Sequence, residues 1–207
     1  MWLGKRAFDF FFSLVALIVL SPLLIFISML IKLESPGPVF FRQERVGLCQ
    51  KIFRIHKFRS MIQNAEKIGL GLTVGNDSRV TRCGSFLRKY KLDELPQFLD
   101  VLLGHMSVVG PRPELPKYVE KYPIEKRDKI FLMKPGMTDL ASLKFKDENK
   151  LLDLSSDPEK TYICVILPIK ISYYEEYSKH SNLFLDLKII FSTISEIFLR
   201  RNVHELS

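Results

Sequence analysis

The sequence predicts an α+β protein, mostly helical, with one N-terminal membrane helix, a small β-hairpin and amphipathic helices. Three observations carry this. Phe10 to Ile31 is a run of 22 residues without a charge. Two short strand-like segments flank Arg45-Val46-Gly47. Helical apolar spacing then recurs in the second half, most clearly in 183–200. The chain has 207 residues, enough for one domain besides the apolar segment, and divides at 1–34 and 35–207.

The apolar run is long enough to cross a bilayer as a helix. It continues past the core of a secretory signal and no small-residue cleavage site follows, so it is expected to be retained. Ser21-Pro22 lies in its middle. A proline there lacks its N–H and clashes with the carbonyl four residues back, which predicts a kink or break. The Ser21 hydroxyl is placed to satisfy backbone groups that Pro22 frees. Basic residues stand on both flanks: Lys5 and Arg6 before, Lys32, Arg42 and Arg45 after. Cationic flanks favour the cytoplasmic side. A helix that bends back would keep both there, while a Pro-kinked spanning helix fits the same residues.

After the run, Glu34-Ser35-Pro36-Gly37-Pro38 breaks the helix. Val39-Phe40-Phe41 and Lys51 to Phe58 read as a hairpin. Ile62 to Lys67 reads as a short helical patch and Gly69 to Asp77 as a loop. Ser85 is a candidate cap for a helix through Lys91, and Asp93 for a helix to Leu103 closed by Gly104. Val108 to Pro116 is a Pro-rich turn, Lys117 to Lys129 a polar helix, and Lys134-Pro135-Gly136 another turn. Asp157-Pro158 starts an aromatic-rich helix that Pro168 should bend or divide. The apolar stripe of Leu183 to Arg200 suits either the core or a membrane surface.

Charge is unevenly placed. Arg42 to Lys91 holds twelve Lys/Arg against three acids, a net of +9, more than the +8 of the whole chain. A basic block beside an apolar helix suits anionic lipid at a cytoplasmic leaflet. It carries no helix-turn-helix or RNP pattern, which argues against nucleic acid. The three cysteines form no CxxC pair, so zinc and disulfide frameworks lack support. Four scattered histidines show no HExxH or triad spacing, and no Walker A, GxGxxG or G-x-S-x-G string occurs.

Among candidates for chemistry, Asp93-Glu94 comes first. An adjacent acid pair is commonly just solvated. Here a helix start would keep Asp93 ionised, and Arg88, Lys89 and Lys91 lie just upstream. An ionised carboxylate among cations can attack a phosphoryl group while the cations hold the substrate's charge. Diphosphates and hard oxygen ligands favour magnesium. Arg112 sits between Pro111 and Pro113, which restrict the backbone that presents its phosphate-shaped fork. Lys57 and Arg59 share one strand face, suited to phosphate or to a plain basic edge.

Seven strings in order resemble one family. They are Lys5-Arg6-Ala7-Phe8-Asp9 before a run with Ser21-Pro22; Gly37 to Gly47; Phe53 to Met61; Leu92-Asp93-Glu94-Leu95-Pro96-Gln97; Met106 to Pro113; Lys134-Pro135-Gly136-Met137-Thr138; and Leu185 to Ile190. From about residue 3 to about residue 200 the chain resembles the bacterial sugar transferases, the monotopic phosphoglycosyl transferases. The resemblance implies transfer of a sugar phosphate from a UDP-sugar to polyprenyl (undecaprenyl) phosphate, releasing UMP. It implies a covalent phosphosugar on Asp93, with Glu94 assisting in metal binding or proton transfer, and Mg2+ as cofactor. It implies phosphate contacts from Arg88 and Arg112. It also implies that Ser21-Pro22 makes the N-terminal helix re-entrant, with the rest a catalytic domain on the cytosolic face of the bacterial inner membrane, initiating surface glycan synthesis. Homodimerisation is left open.

One stretch departs from the family pattern. Many members follow the Pro-Gly-Met-Thr string with Gly-Trp and a later Arg; this chain reads Asp139 to Lys146, with Lys146 nearest to that Arg by spacing. A lysine keeps the charge and loses the bidentate fork. The departure is the one motive for an alternative, a membrane-anchored scaffold of the same fold without turnover. The multi-span region of longer members is also missing from this sequence, so a minimal form is expected.

Overall fold

The structure is a computed structural model that describes residues 2, 4–65, 77–145 and 148–204. Lys146 and most of the Gly69–Asp77 loop lie outside the described residues.

Helix α1 runs from Lys5 to Glu34 with Pro22 inside it. The expected break is not a loss of helix: the Ser21 hydroxyl donates to the Ile18 carbonyl at 2.8 Å, the group that Pro22 has no N–H to reach. Among its apolar residues only Ile27 and Ile31 are fully buried, while Phe11, Ile18, Val19, Ile25 and Leu33 are exposed. A continuous apolar surface of this size marks a membrane or interaction segment rather than a soluble core helix.

Both ends of α1 dock on the rest of the chain. At its start, buried Lys5 pairs with Asp186 at 2.6 Å, Arg6 donates to the Val101 and Leu102 carbonyls, and Asp9 accepts from the Val108 N–H. At its end, Ile27 and Ile31 pack with Phe58 and Leu87, and the Glu34 carboxylate accepts from the Cys83 N–H at 3.1 Å.

The expected hairpin is present. Strand β1 (Phe40–Val46) pairs antiparallel with β2 (Ile52–Phe58), in register from Phe40↔Phe58 to Val46↔Ile52. Met61 forms an isolated bridge with Val80, and Asn64 turns with positive φ, so the start of the expected 62–67 helix is not helical. Helix α2 (Arg82–Lys89) begins earlier than expected: Thr81, not Ser85, is the cap, accepting from the Gly84 N–H at 2.9 Å. A left-handed Lys91 leads into a 3-10 turn, Leu92–Glu94, and α3 (Gln97–Leu102) starts only after Pro96. Asp93 therefore caps no helix. Pro96 takes the cap place instead, and α3 has no side-chain cap bond. Gly104, at φ +87°, ends α3 as expected.

Strand β3 (Ser107–Val109) pairs in parallel with β4 (Gly136–Thr138). Both were expected as turns, because three residues are too few to show an alternating pattern. Gly110 and Gly136 meet so closely that a Cβ on Gly136 would lie 2.2 Å from the Gly110 nitrogen. The polar helix expected over 117–129 is two, α4 (Pro116–Val119) and α5 (Ile124–Ile130), divided at Pro123. Short helices α6 (Leu140–Lys144), α7 (Glu148–Asp153) and α8 (Pro158–Thr161) follow, the last capped by Asp157. A π-turn, Tyr162–Ile166, precedes α9 (Leu167–His180) and absorbs the hydrogen bond that Pro168 cannot make. Helix α10 (Leu183–His204) packs one face into the core. Asp186, Ile189 and Ile190 are buried, while Phe184, Phe191 and Ile194 are exposed on another face.

Candidate active site

Four elements converge on the Asp93-Glu94 pair. The 3-10 turn presents it, β2 brings Lys57, the loop after β3 brings Arg112, and α2 carries Arg88 nearby. Glu94 Oε1 accepts from Lys57 Nζ at 2.8 Å and from Arg112 Nη2 in a short contact, and its Oε2 faces Arg112 Nη1. Burial pushes the Glu94 carboxyl up, but Arg112 and Lys57 outweigh it and hold it well below the usual carboxylate range. Glu94 in turn raises the Arg112 guanidinium well above its ordinary value. Lys57 shifts down because it is buried, against the pull of Glu94.

Asp93 is the contrasting neighbour. No hydrogen bond to its carboxylate occurs among the described residues, so both oxygens are open. Burial, then the charge of Glu94, push its carboxyl up to about 6, against Lys57, Arg88 and Arg112. The sequence-based reason for its ionisation, a helix N-terminus, is absent. Three cations and partial exposure do that work instead.

Arg88 is half-buried in the last turn of α2, where burial lowers its guanidinium and Asp93 raises it. Its Nε donates to the Ser60 hydroxyl at 2.8 Å. Arg59 stands elsewhere: its guanidinium donates to the Ser35 and Pro36 carbonyls and the Ser35 hydroxyl, closing the chain after α1. That geometry fits a structural clamp. Ser21 and Pro22 lie in mid-α1, remote in sequence from these groups and bonded only as described.

Supporting residues had no spacing signal. Asp100, fully buried on α3, accepts from the His56 N–H and pairs with its Nδ1, both at 2.7 Å, and so ties β2 beside Lys57 to the helix that follows Asp93-Glu94. Arg45 donates to the Pro113 carbonyl, and the buried Glu114 carboxylate accepts from the Tyr162 hydroxyl, so the chain is anchored just after Arg112. Asp100 and Glu114 are buried polar residues, a feature that becomes informative only once burial is known.

Among the described residues no group of three or more His, Cys, Asp or Glu is placed to hold a metal. The donor set still suits one class of ion. Magnesium is commonly held by one or two carboxylates together with substrate phosphates, and Asp93 offers open, hard oxygens. Glu94, with its oxygens committed to two cations, does not fit as a ligand in this arrangement.

The sequence model of the bacterial sugar transferases matches residues 1–200. The chain belongs to that family. Among the curated relatives of this chain is an Aeromonas hydrophila UDP-N-acetylgalactosamine-undecaprenyl-phosphate N-acetylgalactosaminephosphotransferase. It is 40% identical over 93% of this chain and 43% of its own length. The exopolysaccharide production protein PSS of Rhizobium leguminosarum bv. phaseoli is 40% identical over 92% of each. An Escherichia coli K12 UDP-glucose:undecaprenyl-phosphate glucose-1-phosphate transferase is 38% identical over 95% of this chain and 40% of its own length. The chain thus spans less than half of two of these relatives and nearly all of the third.

Proposed function

We propose that this chain transfers a sugar phosphate from a UDP-sugar to polyprenyl phosphate, releasing UMP, as the first membrane step of surface glycan or exopolysaccharide assembly. The observation that carries this reading is the asymmetric acid pair: Glu94 is tied down by Lys57 and Arg112, while Asp93 beside it is ionisable and open. The names of relatives that act on undecaprenyl phosphate and UDP-sugars agree with it.

In this reading an Asp93 oxygen attacks the phosphorus that bears the sugar. The bond to the UMP oxygen breaks, and UMP leaves with that electron pair. An oxygen of polyprenyl phosphate then attacks the same phosphorus and frees Asp93, forming the polyprenyl-diphospho-sugar. Arg88 and Arg112 hold phosphate oxygens through their planar forks. Glu94 fixes Arg112 and Lys57 and, by its charge, helps set the Asp93 proton affinity. Magnesium, held by Asp93 and the donor diphosphate, would neutralise phosphate charge. Lys146, eight residues past the β4 strand that pairs beside Arg112's loop, is assigned to the donor side on charge alone.

The helix α1 enters and leaves the cytosolic leaflet of the cytoplasmic membrane in this proposal. Its two docked ends and basic flanks support that, and the excess of positive charge in 42–91 suits anionic headgroups. The deciding experiment is a UMP-release screen across UDP-sugars with undecaprenyl phosphate and Mg2+, using wild type and Asp93→Asn. Release by wild type and none by a folded Asp93→Asn is expected. Full activity in that variant would remove Asp93 as nucleophile, and no release with any donor would favour a non-catalytic scaffold.

A further inference from the structure

Arg88 reaches the site from the end of an eight-residue helix, and a long side chain there is not aimed by the helix alone. Ser60 supplies what the helix lacks. It is buried just beyond β2 and grips α2 at three points. Its carbonyl accepts from the Thr81 N–H at 3.1 Å, at the cap of α2. One turn on, Gly84 approaches so closely that a Cβ would stand 2.0 Å from the Ser60 carbonyl oxygen. Two turns on, its hydroxyl accepts from Arg88 Nε at 2.8 Å. No other hydrogen bond from the Arg88 guanidinium occurs among the described residues, so both Nη groups are left without an acceptor there. Asp93 is the acid whose charge Arg88 feels most.

We propose that Ser60 is a positioning residue for the transfer: by occupying Nε it turns the Nη edge of Arg88 toward the Asp93 carboxylate, where that edge takes two oxygens of the donor's diphosphate. A guanidinium has two bidentate edges. With Nε engaged, only the Nη1/Nη2 edge can close on a phosphoryl group, which fixes its approach. This rests on the reading of Arg88 as a donor-phosphate group.

The test uses the full chain in detergent or nanodiscs and measures UMP release with both substrates varied. Ser60→Ala keeps the backbone contacts to α2 and removes only the hydroxyl. It should lower kcat/KM for the UDP-sugar on the order of tenfold to a hundredfold, the scale of a hydrogen bond to a charged group. The KM for polyprenyl phosphate and the thermal midpoint should stay near wild type. In an Arg88→Lys background, where the fork is gone, Ser60→Ala should cost nothing further. Losses that multiply in the double variant, a wild-type Ser60→Ala enzyme, or equal rises in both KM values with a lower thermal midpoint would each overturn the proposal. Failure of the underlying reading looks different: Arg88→Ala would itself be fully active.

Discussion

At the scale of single residues, the acid pair divides its work through unequal solvation and pairing. With its carboxyl near pH 6, Asp93 is mostly ionised at neutral pH and loses its charge just below it. The proposed nucleophile is the ionised form, so kcat/KM should rise with pH through about 6, read from UMP release between pH 5 and 8. Glu94→Gln removes the negative neighbour and releases Lys57 and Arg112 toward Asp93. Residual activity in that variant should show its acid limb below pH 6, and an unmoved limb would detach it from Asp93. Stability carries the opposite sign. The folded protein binds the Asp93 proton more tightly than the unfolded chain does, because the folded value lies above the ordinary 3.8. The Asp93 contribution to stability therefore falls as pH rises from about 4 to about 6. Asp93→Asn should then be more stable than wild type by about 3 kcal/mol at pH 7.5, from denaturant unfolding, and show little of this gain at pH 4.

At the scale of elements, the helix that carries Arg88 depends on a glycine. Gly84 sits where α2 meets Ser60, and any side chain there displaces one from the other. Gly84→Ala should cost about 1–3 kcal/mol as an overpacked contact, despite alanine's better helix propensity, and should depress UMP release. A stabilised, fully active Gly84→Ala would contradict the close approach. The strands and helices the sequence made legible are those with enough length to show a period or a proline to mark an edge: the β1–β2 hairpin, α1, α10, Asp157-Pro158 and the Pro168 discontinuity. Elements of three or four residues stayed hidden, as with β3 and β4, whose pairing is held by the Gly110–Gly136 approach that spacing cannot express. The site was legible in part. Asp93, Glu94 and Arg112 stand in motif strings, and Arg88 lies just upstream of one of them. Ser60 and Asp100 act through burial and cross-element bonds. Arg59 shares a strand pattern with Lys57, yet it follows the end of β2 and turns to the chain after α1.

At the scale of the whole molecule, the two ends of α1 constrain how it can sit in a bilayer. A straight helix of this length extends about 45 Å, more than the roughly 30 Å of hydrocarbon it would have to cross. If it crossed, its first and last turns would face opposite sides. Its first turn, however, is fastened by Lys5 to Asp186 and by Arg6 to the end of α3, and its last by Ile31 and Glu34 to α2. Helices α2 and α3 are joined by only seven residues, 90–96, so in the proposed membrane setting both would lie on one side. Crossing would require rupture of one fastening, including a fully buried Lys–Asp pair whose separation strands a charge at about 3–5 kcal/mol. Entry and exit through one leaflet keeps both. An N-terminal epitope and a thiol at Leu33→Cys, an exposed position, should therefore both be reached by impermeant reagents from the cytosolic face of inverted vesicles and neither from intact spheroplasts. The three native cysteines would first be replaced by serine. Lys5→Ala, which cuts the first fastening, should reduce that agreement by letting a fraction of N-termini cross. An epitope reached only from the outer face in the unaltered chain would show a spanning helix and end the re-entrant reading, while leaving the chemistry at Asp93 untouched.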